Sequence, residues 1–110
     1  MKLDDVLWRS AAALTSSQTV RRVELYAEIA RRQAYPITDE VAQEIAALET
    51  EAENCRQAFR RFSTFRPDKD PTCSSCWIIK GARSPVSQTA RPEIYECSKC
   101  GEKYRLSPNS

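Results

Sequence analysis

Two Cys-x-x-Cys pairs, Cys73-Ser74-Ser75-Cys76 and Cys97-Ser98-Lys99-Cys100, stand twenty residues apart in the 110-residue sequence. Each pair can turn two thiolates toward one point, and together they supply the four soft donors that tetrahedral Zn²⁺ accepts. Four cysteines saturate such an ion and leave no position for a catalytic water, so one structural Zn²⁺ on Cys73, Cys76, Cys97 and Cys100 is expected. The sequence contains no histidine, which removes the usual base for a thiol or hydroxyl nucleophile, and an enzyme is not expected. A redox dithiol and a disulfide framework are the competing uses of paired cysteines. A redox pair usually opens a helix after a strand, whereas the flanks here read as β.

The elements that must hold these sulfurs are short. Gly101 follows the second pair directly, where a residue without Cβ lets the backbone bend around the thiolates, while Trp77 follows the first. Trp77-Ile78-Ile79, Ile94-Tyr95-Glu96 and Tyr104-Arg105-Leu106 read as β-rich runs, and residues 80–92, rich in breakers and polar residues, as an exposed loop. With these flanks the four-cysteine stretch, residues 72–106, resembles a zinc ribbon. That resemblance implies two knuckles on hairpin-like turns, with the metal where a larger domain has its core. Zinc ribbons serve transcription factors, polymerase subunits, ribosomal proteins and docking modules, so the likeness is informative for fold and metal and leaves function open.

Upstream, the periodicity predicts helices. Leu3, Leu7, Ala11 and Leu14 share one face of a helix over 3–14, with Trp8 beside it. Thr15-Ser16-Ser17-Gln18-Thr19 reads as a break whose hydroxyls cap a second helix over 19–34. In that helix Val20, Val23, Ala27 and Ala30 form the inner stripe, widened by Leu25 and Ile29. Pro36 ends it, and Thr38 caps a third helix over 38–65, whose seam is Val41, Ile45, Leu48, Ala52, Cys55, Phe59 and Phe62. Cys55 on that seam reads as a small core residue. The predicted fold is mainly α with a small β module: a helical hairpin, three-helix bundle or coiled coil over 1–66, a linker at 67–71, the ribbon at 72–106 and a flexible tail at 107–110. The linker Arg66-Pro67-Asp68-Lys69-Asp70-Pro71 shows no apolar anchor and suggests a mobile ribbon.

An acidic start and the lack of a continuous apolar run argue against a signal peptide or membrane span, and five cysteines in such a chain suit a reducing, cytoplasmic compartment. The formal charge is +2, and four thiolates with a dication bring it to about zero. Residues 72–110 carry six Lys and Arg against three Glu. These cations either balance the metal-thiolate charge or form a contact surface of Trp77, Lys80, Arg83, Arg91, Lys99 and Lys103, joined by Arg56, Arg60 and Arg61 from the long helix. Trp77, Tyr95 and Tyr104 are candidates for stacking on bases, or else core of a small ribbon.

Two function classes follow. One is a non-catalytic, nucleic-acid- or transcription-associated zinc adaptor. The other is a small protein-interaction module or inhibitor, encoded by a phage or mobile element, that binds a host complex. A homodimer through the helices fits either, and neither needs a membrane or a small-molecule substrate. A hairpin with acids at its tip (Asp39, Glu40) followed by a four-cysteine module is also similar in layout to the DksA/TraR-type regulators, which implies RNA polymerase as a partner. In this sequence the cysteine spacing is longer, no helix follows the ribbon, and Asp39-Glu40-Val41-Ala42 does not match that family's Asp-x-x-Asp-x-Ala tip.

Overall fold

A computed structural model describes residues 2–106; the predicted tail at 107–110 lies outside the described residues. Two long helices, α1 (Leu3–Gln33) and α2 (Asp39–Ser63), form an antiparallel hairpin. A five-residue π-helical turn, Cys76–Lys80, and three short antiparallel strands follow: β1 (Val86–Gln88), β2 (Ile94–Cys97) and β3 (Lys103–Arg105), in the order β1-β2-β3. The molecule is elongated, 58 × 24 × 22 Å, with the sheet and cysteines at one end of the hairpin.

The predicted break at residues 15–19 is absent. Thr15 is buried mid-helix, and its hydroxyl donates to the Ala11 carbonyl at 2.8 Å, as the Thr19 hydroxyl does to Thr15 at 3.0 Å. Hydroxyls that bond back to the preceding turn need no cap role, so the helix runs through. Two helices therefore replace the predicted three. The inner stripe of α1 is also different: Leu7, Ala11, Thr15, Leu25 and Ile29 face inward, while Val20 and Val23 are 58 % and 66 % exposed and Ala27 and Ala30 face solvent.

On α2 the capping prediction holds, since the Thr38 hydroxyl accepts the Val41 amide at 3.2 Å and Asp39 and Glu40 occupy the first turn. The seam holds at Ile45, Leu48, Ala52, Cys55 and Phe62, the last packed half-buried against the larger cluster; Phe59 is the exception, 62 % exposed, and Ala58 and Phe65 join the core instead. Arg21 to Glu51, at 3.0 Å, and Arg32 to Glu44 cross between the helices. Exposed pairs of this kind contribute roughly 0–1 kcal/mol each, so they select the register more than they stabilise it.

Two apolar clusters hold the hairpin. Leu25, Ala52 and Cys55, with Leu48, form the smaller one. The larger one unites Leu7 and Ala11 of α1, Ala58 of α2 and Phe65 with Cys73, Cys76, Ile78, Cys97 and Tyr104. The segment at 67–71 is not an open linker: Lys69 and Asp70 amides both bond the Arg66 carbonyl at 3.2 Å, Pro67 is buried, and Thr72 bridges to Pro85. Among the described residues, no helix is long and apolar enough to cross a membrane.

Candidate metal centre

The four paired cysteines converge as the spacing predicts, with all four Sγ atoms within 4.8 Å of one another. Cys73 Sγ lies 3.6 Å from Cys100 Sγ, and Cys76 Sγ 3.7 Å from Cys97 Sγ. A tetrahedron of sulfurs about 2.3 Å from a central ion has edges of about 3.8 Å. The cluster therefore fits one tetrahedral metal ion. Cys73, Cys76 and Cys97 are buried and Cys100 is exposed.

The two knuckles differ because their backbones leave in different directions. In the second, Gly101 has φ 78° and its amide bonds the Cys97 carbonyl at 3.0 Å, while the Lys99 amide points at Cys97 Sγ from 3.4 Å. The predicted need for glycine is met there. In the first, the chain after Cys76 does not enter a strand. Trp77-Ile78-Ile79 lies in the π-helical turn, opened by the Trp77 amide on the Cys73 carbonyl at 3.0 Å, and helical φ asks for no glycine. The β-like flank used to argue against a redox pair is thus wrong for the first knuckle. What favours metal is the convergence of four sulfurs rather than two.

A left-handed residue, Gly81 at φ 69°, ends this turn, and its amide bonds the Trp77 carbonyl at 2.9 Å. The freed carbonyls of Ile78 and Ile79 are both taken by Arg61 Nη1, at 3.1 Å each. In return, Trp77 Nε1 donates to the Arg61 carbonyl at 2.8 Å. This reciprocal clasp locks the C-terminal turn of α2 to the first knuckle, satisfying orphan groups at both helix ends. A Cβ on Gly81 would sit 3.0 Å from Arg61 Nε. Gly81→Ala is therefore expected to destabilise the metal-loaded chain by about 1–3 kcal/mol, through the left-handed φ and the displaced guanidinium. Denaturant unfolding measures it, and an unchanged midpoint would remove the clasp from the account.

Outer contacts tune the sulfurs. The Tyr104 hydroxyl accepts the Ser75 amide at 3.3 Å and lies 3.1 Å from Cys73 Sγ, so its own proton is free for the sulfur. Burial pushes the Cys73 thiol up to about 12, against the hydroxyl of Tyr104. Cys97 goes the other way, to about 6: burial opposes the shift, but the amides of Cys100 and Lys99 outweigh it. Of the two roles open to Tyr104, core and stacking platform, it takes the core one; the buried Ser74, whose hydroxyl donates to the Leu7 carbonyl at 2.6 Å, does not stand out by residue type.

The predicted contact residues separate. Arg56 is paired with Glu53 at 2.7 Å, and Arg61 and Trp77 are engaged in the clasp. Arg60, Lys80, Arg91, Lys99 and Lys103 are exposed, and Arg83 lies over the Trp77 ring with its guanidinium carbon 5.4 Å from the centroid. Tyr95 is half-buried against the larger cluster. The loop predicted at 80–92 contains β1, which pairs Val86 with Cys97 and Gln88 with Tyr95. The chain matches no protein-family model, no curated protein and no solved structure.

Charge is distributed unevenly along the molecule. Residues 1–59 hold seven Lys and Arg against ten Asp and Glu, and residues 60–105 hold ten against five. Among the described residues, ion pairs within 4.0 Å occur only between residues 21 and 56, on the hairpin. Among the described residues the cations of residues 60–105 have no such carboxylate partner.

Proposed function

We propose that the protein is a non-catalytic adaptor, stabilised by one structural Zn²⁺ in a ribbon-like module, whose basic end engages nucleic acid. The unpaired cations at the metal end carry this reading. On the hairpin Arg21, Arg31, Arg32 and Arg56 pair with neighbouring glutamates, while Arg60, Lys80, Arg83, Arg91, Lys99, Lys103 and Arg105 face solvent with no acid within 4.0 Å among the described residues. A metal-thiolate centre of charge −2 offsets only part of the excess of ten over five, leaving that end positive. Phosphate is the polyanion such a surface attracts. Zinc is the ion of choice because four thiolates suit a soft-tolerant tetrahedral ion, and closed coordination suits structure rather than catalysis.

Fluorescence anisotropy of a labelled single-stranded oligonucleotide with the zinc-loaded chain tests this. Affinity should fall with salt, with a log–log slope of about −2 to −3 from three or four neutralised phosphates. Undetectable binding at about 50 mM salt would remove the nucleic-acid part. A second reading, a protein partner or second copy lying along α1, is favoured by the outward stripe of Val20, Val23, Ala27 and Ala30. Apolar association of that kind shows little salt dependence, which separates the two.

A further inference from the structure

A cleft of about 230 Å³ opens between the C-terminal end of α2 and the first knuckle. Its walls include Arg66, Lys69 and Arg83, one acid, Asp70, and the half-buried ring of Trp77. We propose that this cleft seats one nucleotide of a single-stranded nucleic acid, its phosphate among Arg66, Lys69 and Arg83 and its base on the guanidinium plane of Arg83. The inference deepens the nucleic-acid reading and rests on it.

Three observations define the occupant. First, three cations against one carboxylate make the cleft anion-selective, and Arg66 is held at the wall by Nη1 bonds to the Phe65 and Ser63 carbonyls at 2.8 and 3.3 Å. Second, the Arg83 guanidinium carbon lies over the Trp77 ring, 5.4 Å from its centroid, so a cation and an aromatic ring stand together at the cleft, the pair of groups on which an unpaired base stacks. Third, the space is below the roughly 300–1,000 Å³ of sites that enclose a whole small ligand, which suits one unit of a strand rather than a free cofactor. A base inside a duplex has both faces covered by the neighbouring base pairs, so a duplex is excluded from the stack. The adjoining hollow beyond Arg66, walled by Asp4, Asp5 and Asp68, repels phosphate and bounds the site on that side.

The test uses the full zinc-loaded chain carrying Trp8→Phe, so that Trp77 is its only tryptophan. A ten-nucleotide oligouridylate should quench Trp77 fluorescence, and a ten-base-pair duplex should not. Arg83→Ala and Lys69→Ala should each weaken oligouridylate binding about tenfold and lower the salt slope by about 0.7. Arg83→Lys keeps the charge without the plane, so it should keep the slope and lose most of the quench, which a purely electrostatic role would not predict. Arg31→Ala, on the hairpin and paired with Glu28, should bind as the parent does. If the strand binds the parent and both cleft variants equally, the cleft assignment fails while the nucleic-acid reading stands. If the parent binds no strand at all, both fail.

Discussion

Cys76→Ser is expected to release the metal and to unfold the sheet end of the molecule while leaving the far half of the hairpin folded. Serine offers a hard, protonated oxygen where a soft thiolate is required, so the four-donor site drops to three. Tetrathiolate zinc contributes on the order of 10 kcal/mol to folding in small metal modules, more than the total stability of many domains. The consequence spreads because the sulfurs are core atoms. Cys73, Cys76 and Cys97 belong to the same buried cluster as Leu7, Ala11, Ala58 and Phe65, so the start of α1 and the end of α2 lose their packing with the knuckles. Leu25, Ala52 and Cys55 form a separate cluster that contains no metal ligand. Amide hydrogen exchange should therefore show protection lost at residues 3–11, 58–65 and 72–106 and kept around residues 25–29 and 45–52. Metal analysis should find no tightly held zinc. A variant that keeps full protection without metal would show that the apolar cluster suffices, and the structural role of the ion would go with it. Chelation of the parent chain should give the same exchange pattern.

The metal centre was the most legible part of the chain because ligand chemistry is local: two Cys-x-x-Cys pairs leave few alternatives, and Gly101 marks the sharp bend of the second knuckle. The hairpin was legible where a single helix face decided burial, as at Ile45, Ala52 and Cys55. It was misread where two physical effects competed. Thr15 to Thr19 have the residue types of a cap, but the hydroxyls of Thr15 and Thr19 bond to carbonyls one turn back, and Thr15 is buried within the continuous helix. Val20, Val23, Ala27 and Ala30 have helical spacing, yet Leu25 and Ile29 mark the face that meets α2, and periodicity alone cannot say which of two apolar stripes is covered. Trp77-Ile78-Ile79 carries β propensity that tertiary contacts overrode. A helical turn brings Cys73 and Cys76 to one side, and Arg61, distant in sequence, satisfies the carbonyls that the turn leaves free. None of these outcomes is encoded in a window of neighbouring residues, and each depends on a contact across the chain.

Leu7 tests whether the helices and the metal centre form one cooperative unit. Its side chain is fully buried in the larger cluster, and its carbonyl accepts the Ser74 hydroxyl from inside the first knuckle. Leu7→Ala should cost about 2–5 kcal/mol, the range for deleting a buried leucine where the surroundings relax incompletely. Leu25→Ala, in the smaller cluster with 2 % exposure, should cost a similar amount. The two variants should part company in metal retention. With Leu7 truncated, the wall behind Ser74 loosens and the knuckle samples open geometries, so zinc should transfer to a competing chelator about tenfold faster. With Leu25 truncated, the transfer rate should match the parent's, because no ligand-bearing residue belongs to that cluster. Equal transfer rates in both variants would mean that the knuckles hold the ion without help from α1. The cysteine module would then be an independent unit carried by the hairpin, and the shared core would be packing without coupling.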